Sequence, residues 1–168
     1  MRQNFLDFFD ADYALVVRFM MRMGVGSADA EDAMQHVAEQ GWRMVTHGRW
    51  DQIAFPRSWA RTVALNHHRA QCRKRNEVPL APYADVPQPE PGHAELVGQA
   101  RDLVVLLQCL DGDCRAVIAF DLDGIPASEI AAALGKTPQQ VRDLRKKARR
   151  QLVQHLAAAM HGEGGNRQ

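Results

Sequence analysis

Five of the chain's eight prolines fall between Pro79 and Pro91. Proline fixes φ and removes the N–H that a helix or sheet interior needs, so this stretch cannot join a core and is expected to be extended and semi-rigid. On either side of it the apolar residues recur at helical spacing, and the β-branched alternation of strands is absent. The chain is therefore read as all-α, with two small helical domains at 1–76 and 94–160, a proline-rich linker at 77–93 and a disordered tail at 161–168. Each module holds roughly 60–80 residues, a size at which a lone core is marginal. Such a module is expected to need a partner for rigidity.

Glycine and proline place the helix ends. A first helix is expected from about 4 to 23, stopped by Gly24 and Gly26, with Ser27 or Asp29 capping the second. The second runs to about 45, where His47 and Gly48 break it. The third opens at Pro56, where a missing N–H costs nothing, and extends to about 75. Beyond the linker the pattern predicts helices near 94–109, 112–122, 126–134 and 138–160, with Asp123-Gly124 and Gly135-Lys136 as breaks.

A formal net charge of +1 hides a segregation of charge. Arg57, Arg61, Arg69, Arg73, Lys74 and Arg75 form one basic stretch with no acid among them. Lys136, Arg142, Arg145, Lys146, Lys147, Arg149 and Arg150 form another, relieved by Asp143 alone. Two basic helical stretches, each closing a module, suit a protein that grips one nucleic acid at two places.

The motif from Ser128 to Val141 reads as a helix-turn-helix. Gly135 can take positive φ for the sharp turn, Thr137 can cap the next helix, and Pro138 suits its first position. On that helix Val141, Leu144, Ala148 and Leu152 share one face. Gln139, Arg142, Asp143, Lys146 and Arg150 take the other, with Lys147 beside it. Gln and Arg can read base edges, Asp can accept from cytosine, and lysines suit phosphates.

In the first module, Trp59, Val63, Asn66 and Ala70 are assigned to the core face of the third helix, with Asn66 as a buried hydrogen-bonding residue. Arg57, Arg61, His68, Cys72 and Arg75 take the opposite face, a stripe for phosphates. Phe55 and Trp59 are read as packing residues. For Trp50, in the loop beside Asp51, packing and stacking on an unpaired base stay open. The second helix carries Asp29, Glu31, Asp32, Gln35 and Glu39 on one side, which is either solvated surface or a protein-docking face.

Other classes fit poorly. No apolar run approaches the roughly 20 residues of a membrane span, and the acidic, aromatic N-terminus does not read as a signal peptide. Cys72, Cys109 and Cys114 lack zinc-type pairing; Cys109 and Cys114 are expected to be packed thiols in a reducing, cytoplasmic setting. No Ser/His/Asp, metal-ligand or phosphate-loop constellation is present, so neither catalysis nor a cofactor is expected.

Taken together, these motifs resemble the extracytoplasmic-function group of RNA polymerase sigma factors, over about Phe5 to Leu156. Asp29-Ala30-Glu31-Asp32-Ala33-Met34-Gln35, followed by Trp42, resembles the second-region helix that docks on the polymerase β′ subunit. Pro56-Arg57-Ser58-Trp59-Ala60-Arg61-Thr62-Val63-Ala64-Leu65-Asn66, leading to Arg73-Lys74-Arg75, resembles the segment that melts and reads the −10 element. Glu129-Ile130-Ala131 with Leu134-Gly135, then Val141-Arg142 and Ala148-Arg149, resembles the fourth-region helix-turn-helix that reads the −35 element. The chain departs from the pattern at His36, Ala38, Ala70, Pro126 and Leu144-Arg145.

The resemblance implies a sigma factor that binds core RNA polymerase, through β′ and β, and promoter DNA. An anti-sigma factor is a further candidate partner. The −35 candidates are Gln139, Arg142, Asp143, Lys146, Lys147 and Arg150. The −10 candidates are Trp50, Asp51, Arg57, Arg61, His68 and Arg75, and the polymerase-binding candidates are Asp29, Glu31, Asp32, Gln35 and Glu39. Two alternatives remain: a stand-alone helix-turn-helix regulator, and an adaptor whose basic faces meet an acidic protein.

Overall fold

Helix α1 spans Arg2–Arg22 and gives way to Gly24, whose φ of 87° suits a residue without a Cβ. Helix α2 (Ser27–Thr46) follows. Its N-cap is Gly26, whose carbonyl already accepts from the Ala30 N–H, and no side chain caps it. Neither Ser27 nor Asp29 is therefore the cap; both lie inside the first turn, where Asp29 still favours the positive end of the helix dipole. A 3-10 turn at Trp50–Gln52 leads to α3 (Pro56–Lys74), with Pro56 in the first turn. Then come α4 (Ala94–Leu107), α5 (Gly112–Leu122), α6 (Ala127–Leu134) and α7 (Pro138–Glu163). This computed structural model describes residues 2–75 and 94–163; among them there is no strand. The linker at 77–93 and residues 164–168 of the tail lie outside the described residues, while α7 runs on to Glu163, past the helix end expected at 160.

The turn between α6 and α7 forms as its chemistry dictates. Gly135 adopts φ 62°, ψ 36° after the last turn of α6. The Gln140 N–H donates to Thr137 Oγ1 at 3.2 Å, and the Thr137 N–H donates to Gln140 Oε1 at 2.7 Å. This reciprocal pair satisfies two otherwise orphaned donors, a contribution of about 1 kcal/mol.

Helices α1, α2 and α3 pack together, and α5, α6 and α7 do the same. The two groups do not keep separate cores. Val16, Phe19 and Met20 of α1, Met34 and Val37 of α2, and Ala64 and Leu65 of α3 join Ala116, Val117 and Phe120 of α5 in one buried cluster. That cluster continues through Ile125 and Ile130 to Val141 of α7. Phe19 meets Phe120 edge-on, with ring centroids 4.8 Å apart. Each group thus buries its large aromatic against the other. A smaller cluster of Leu107, Leu110, Cys114 and Ala148 ties α4 to α5 and α7.

Candidate nucleic-acid interface

Helix α7 carries its candidates as the spacing predicts. Val141 and Ala148 are fully buried, and Leu144 and Leu152 pack partly. Gln139, Arg142, Asp143, Lys146, Lys147 and Arg150 all lie exposed on the other side. They form a connected surface. Gln139 donates to Asp143 Oδ1 at 3.0 Å and accepts from Arg142 Nη2 at 2.7 Å. These contacts run between residues three and four apart, neighbours on a helix face. A shallow hollow of about 360 Å³ lies among Lys136, Gln140, Asp143, Lys147 and Arg150.

Anchoring acids hold this basic face from behind. Lys147 Nζ lies 2.6 Å from Asp111 Oδ2, and Lys136 Nζ lies 2.8 Å from Asp113 Oδ2. Arg145 forks onto both oxygens of Asp121. Asp111 also caps α5, accepting from the Cys114 N–H at 2.9 Å. Lys147 first, and then that N–H, hold the Asp111 carboxyl far below its ordinary pKa. Burial, with the neighbouring Asp111 carboxylate, pushes the Cys114 thiol up to about 11. Cys114 is thus a packed, protonated thiol, as expected.

Helix α3 is turned differently from the sequence expectation. Its buried residues are Ser58, Ala60, Arg61, Ala64, Leu65 and Cys72. Asn66, assigned to the core, is exposed, while Trp59, Val63 and Ala70 are half-buried. Arg61, assigned to the phosphate stripe, is 0% exposed. Its Nε lies 2.5 Å from Asp123 Oδ2, its Nη1 lies 3.4 Å from Asp12 Oδ1, and its guanidinium sits over the Phe19 ring. The inward face follows from these acids: once a guanidinium has carboxylates to meet, its long stem is good core material. Arg57 stays half-exposed, donating to Asp12 at 3.4 Å and to the Asp123 carbonyl at 3.1 Å. His68 is half-buried beside Cys72, and Arg75 is exposed and pairs with Asp29 at 3.3 Å. The stripe expected on the open surface therefore lies, at Arg57 and Arg61, against the second half of the molecule.

Trp50 also departs from the stacking role. It is 4% exposed and packed edge-on against Phe5 and Trp59, with Phe8 alongside. In this arrangement its ring is a core element and offers no face to a base; neighbouring Asp51 is exposed. Phe55, read as packing, is 55% exposed instead. It edges a hollow of about 210 Å³ that also touches Trp59, Ser58 and Glu129.

On α2 the acidic side is present, with Glu31, Asp32, Gln35 and Glu39 exposed and Asp29 partly so. Asp32 accepts from His67 Nε2 at 2.8 Å, and His67 stacks on His36 with centroids 4.2 Å apart. Burial, then the His67 charge, lowers the His36 pKa. Among the described residues no cluster of His, Cys, Asp or Glu is suited to a metal, and no helix is long and apolar enough to cross a membrane.

With the three-helix bundle and the basic helix-turn-helix in place, two comparisons bear on the chain. Residues 8–78 match the family model of sigma-70 region 2. Among solved structures, the chain is similar to the sigma factor RpoE from Bartonella quintana, determined in complex with the anti-sigma factor NepR. The match has a TM-score of 0.68 at 20% identity and covers 90% of this chain and 97% of that one. Residues 8–78 are thus similar to a sigma-70 region 2, and the chain as a whole shares the fold of that solved sigma factor.

Proposed function

We propose that this chain binds core RNA polymerase and directs promoter-specific initiation, with residues 1–76 serving the −10 element and 94–160 the −35 element. What carries the reading is the order of two features along one chain: a region 2 bundle at 8–78, then a tight-turn helix-turn-helix with its basic face turned to solvent. In the −35 duplex, Arg142 and Gln139 would meet base edges. Lys146, Lys147 and Arg150 would serve the phosphates, and Asp143 would orient Gln139. Asp29, Glu31, Asp32, Gln35 and Glu39 form the side that docks on β′, an acidic surface that DNA would repel.

For the −10 element the exposed or half-exposed candidates are Asp51, Arg57, His68 and Arg75. Arg61 and Trp50 support the same element from inside the fold. The chemistry belongs to the polymerase; this chain contributes position and binding. A cytoplasmic site of action follows from that partner, and the partner named for the RpoE structure makes an anti-sigma factor a natural regulator here as well.

Co-purification with core polymerase, followed by run-off transcription from a promoter library, tests the proposal. A promoter-dependent transcript that needs both this chain and core polymerase supports it. Tight, sequence-specific binding by the chain alone, with no gain from polymerase, would instead make it a stand-alone regulator.

A further inference from the structure

On the acidic side of α2, two residues of α3 reach across to the acids. Arg75 Nη1 lies 3.3 Å from Asp29 Oδ1, and His67 Nε2 donates to Asp32 Oδ2 at 2.8 Å. His67 also stacks on His36 of α2, with ring centroids 4.2 Å apart and an interplanar angle of 22°. Asp32 and His36 stand four residues apart, neighbours on one face of α2. One imidazole of α3 thus contacts both a carboxylate and a second imidazole. His67 is mostly covered, its side chain 17% exposed, whereas Asp32 is 56% exposed and faces solvent.

Histidine is the side chain whose charge changes between about pH 5 and pH 8. Two imidazoles stacked this closely do not both carry a charge readily, because like charges repel. The groups acting on His36 are His67 from α3 and Asp32, Glu39 and Arg43 from its own helix. Burial first, and then His67, lowers the His36 pKa, so His36 stays neutral as the pair takes up its first proton. Facing His67 are Asp32 and His36 from α2 and the Gln71 amide from its own helix. His67 is the ring with a carboxylate at hydrogen-bond distance, so the first proton meets its counter-charge there. That counter-charge belongs to Asp32, a residue of the proposed docking side.

We propose that His67 is a positioning residue for the docking side of α2, acting through Asp32 and setting how much of its charge a partner meets. The inference rests on the reading of that side as the surface that meets core polymerase. Neutral His67 donates to Asp32 and leaves the carboxylate its full charge. Protonated His67 becomes an ion-pair partner and cancels it. The side that carries Asp29, Glu31, Asp32 and Glu39 then offers one net negative charge fewer to a basic partner surface, and electrostatic complementarity falls. Docking therefore weakens as pH falls, through a residue set behind the surface.

Binding of the full chain to core polymerase at about pH 8 and about pH 6, at fixed ionic strength, tests this. The wild type should bind about three- to fivefold more weakly at the lower pH, the size of one exposed charge pair. His67→Gln keeps an N–H for Asp32 and cannot take a proton, so it should flatten that step. His67→Lys, charged at both pH values, should be flat too but weaker than His67→Gln throughout. Titration of the polymerase itself enters every curve and cancels when the wild type is read against the variants. Histidine ring signals in the NMR spectrum of the wild type read the same event without a variant: the proton should reach His67 while His36 is still neutral. A step that survives in His67→Gln, or a His36 that protonates before His67, overturns the proposal. Asp32→Asn separates it from the docking reading. Affinity lost in Asp32→Asn at the higher pH, beside a wild type with no step of its own, rejects the role of His67 and keeps the docking side. No loss in Asp32→Asn rejects the docking side and the role of His67 with it.

Discussion

Helices α3 and α7 carry similar basic stretches, and the fold treats them in opposite ways. On α7 the cations face water, tethered at their edge by Asp111 and Asp121, with Lys136 just before the helix held by Asp113. On α3, Arg61 is driven inward onto Asp12 and Asp123 and becomes part of the shared core. The difference lies in what each helix meets. α7 packs one apolar face on α5 and α6 and, among the described residues, has no helix packed over the other, whereas α3 lies between α1, α2 and α6. A run of arginines therefore reports the capacity to bind phosphate; the neighbouring elements decide whether that capacity is on offer.

The contrast can be broken by mutation, and the largest effect should come from Arg61→Ala. It takes one of two arginine partners from each of Asp12 and Asp123 and empties a fully buried site, and removing one partner of a buried ion pair costs about 3–5 kcal/mol. Urea denaturation followed by circular dichroism checks this. The equivalent change on the other helix, Arg142→Ala, should move stability by no more than about 0.5 kcal/mol, while costing about 1–3 kcal/mol in discrimination at one −35 position if the contact is bidentate. Equal stability losses for the two arginines would erase the distinction between the helices.

Trp50→Ala should cost roughly 3–5 kcal/mol as well, by removing a large side chain from among Phe5, Phe8 and Trp59. The same unfolding experiment reads it. A stable variant that fails only in promoter melting would return the ring to a base-stacking role.

A smaller loss, about 0.5–2 kcal/mol, is expected for Thr137→Ala, which removes one half of the reciprocal cap at the start of α7. Thermal melting gives the value, and Thr137→Ser should recover most of it.

The last effect is a pH dependence. The Asp111 carboxyl is depressed, chiefly by Lys147 and then by the Cys114 N–H. A depressed acid contributes stability above its unfolded pKa, about 3.9, and loses it as pH falls toward the folded value. Acid titration of unfolding should therefore show a loss below about pH 4. Lys147→Ala should shrink that loss without abolishing it, since the N–H remains. An identical acid limb in wild type and variant would show that the pair contributes nothing.

What could be read from the sequence was local. Gly135, Thr137, Pro138 and the α7 face follow from contacts within four residues, and the structure contains them as expected. The orientation of α3 could not be read in that way. The acids that turn Arg61 inward lie 49 and 62 positions away along the chain. Asp123 looked like half of an Asp-Gly break, and Asp12 like one more acid of an amphipathic helix. For Trp50, too, the deciding neighbours, Phe5 and Phe8, come from the start of α1, far away along the chain. Periodicity separates apolar from polar residues; it does not show which polar residue will find a distant buried partner.

Dicarbonyl labelling of arginines on the free chain, mapped by mass spectrometry, measures the contrast between the two helices most directly. Arg142 and Arg150 should react rapidly, Arg57 more slowly, and Arg61 hardly at all until the fold is lost. Labelling of Arg61 in the folded protein at a rate close to that of Arg142 would contradict the inward-turned α3 and the shared core built on it.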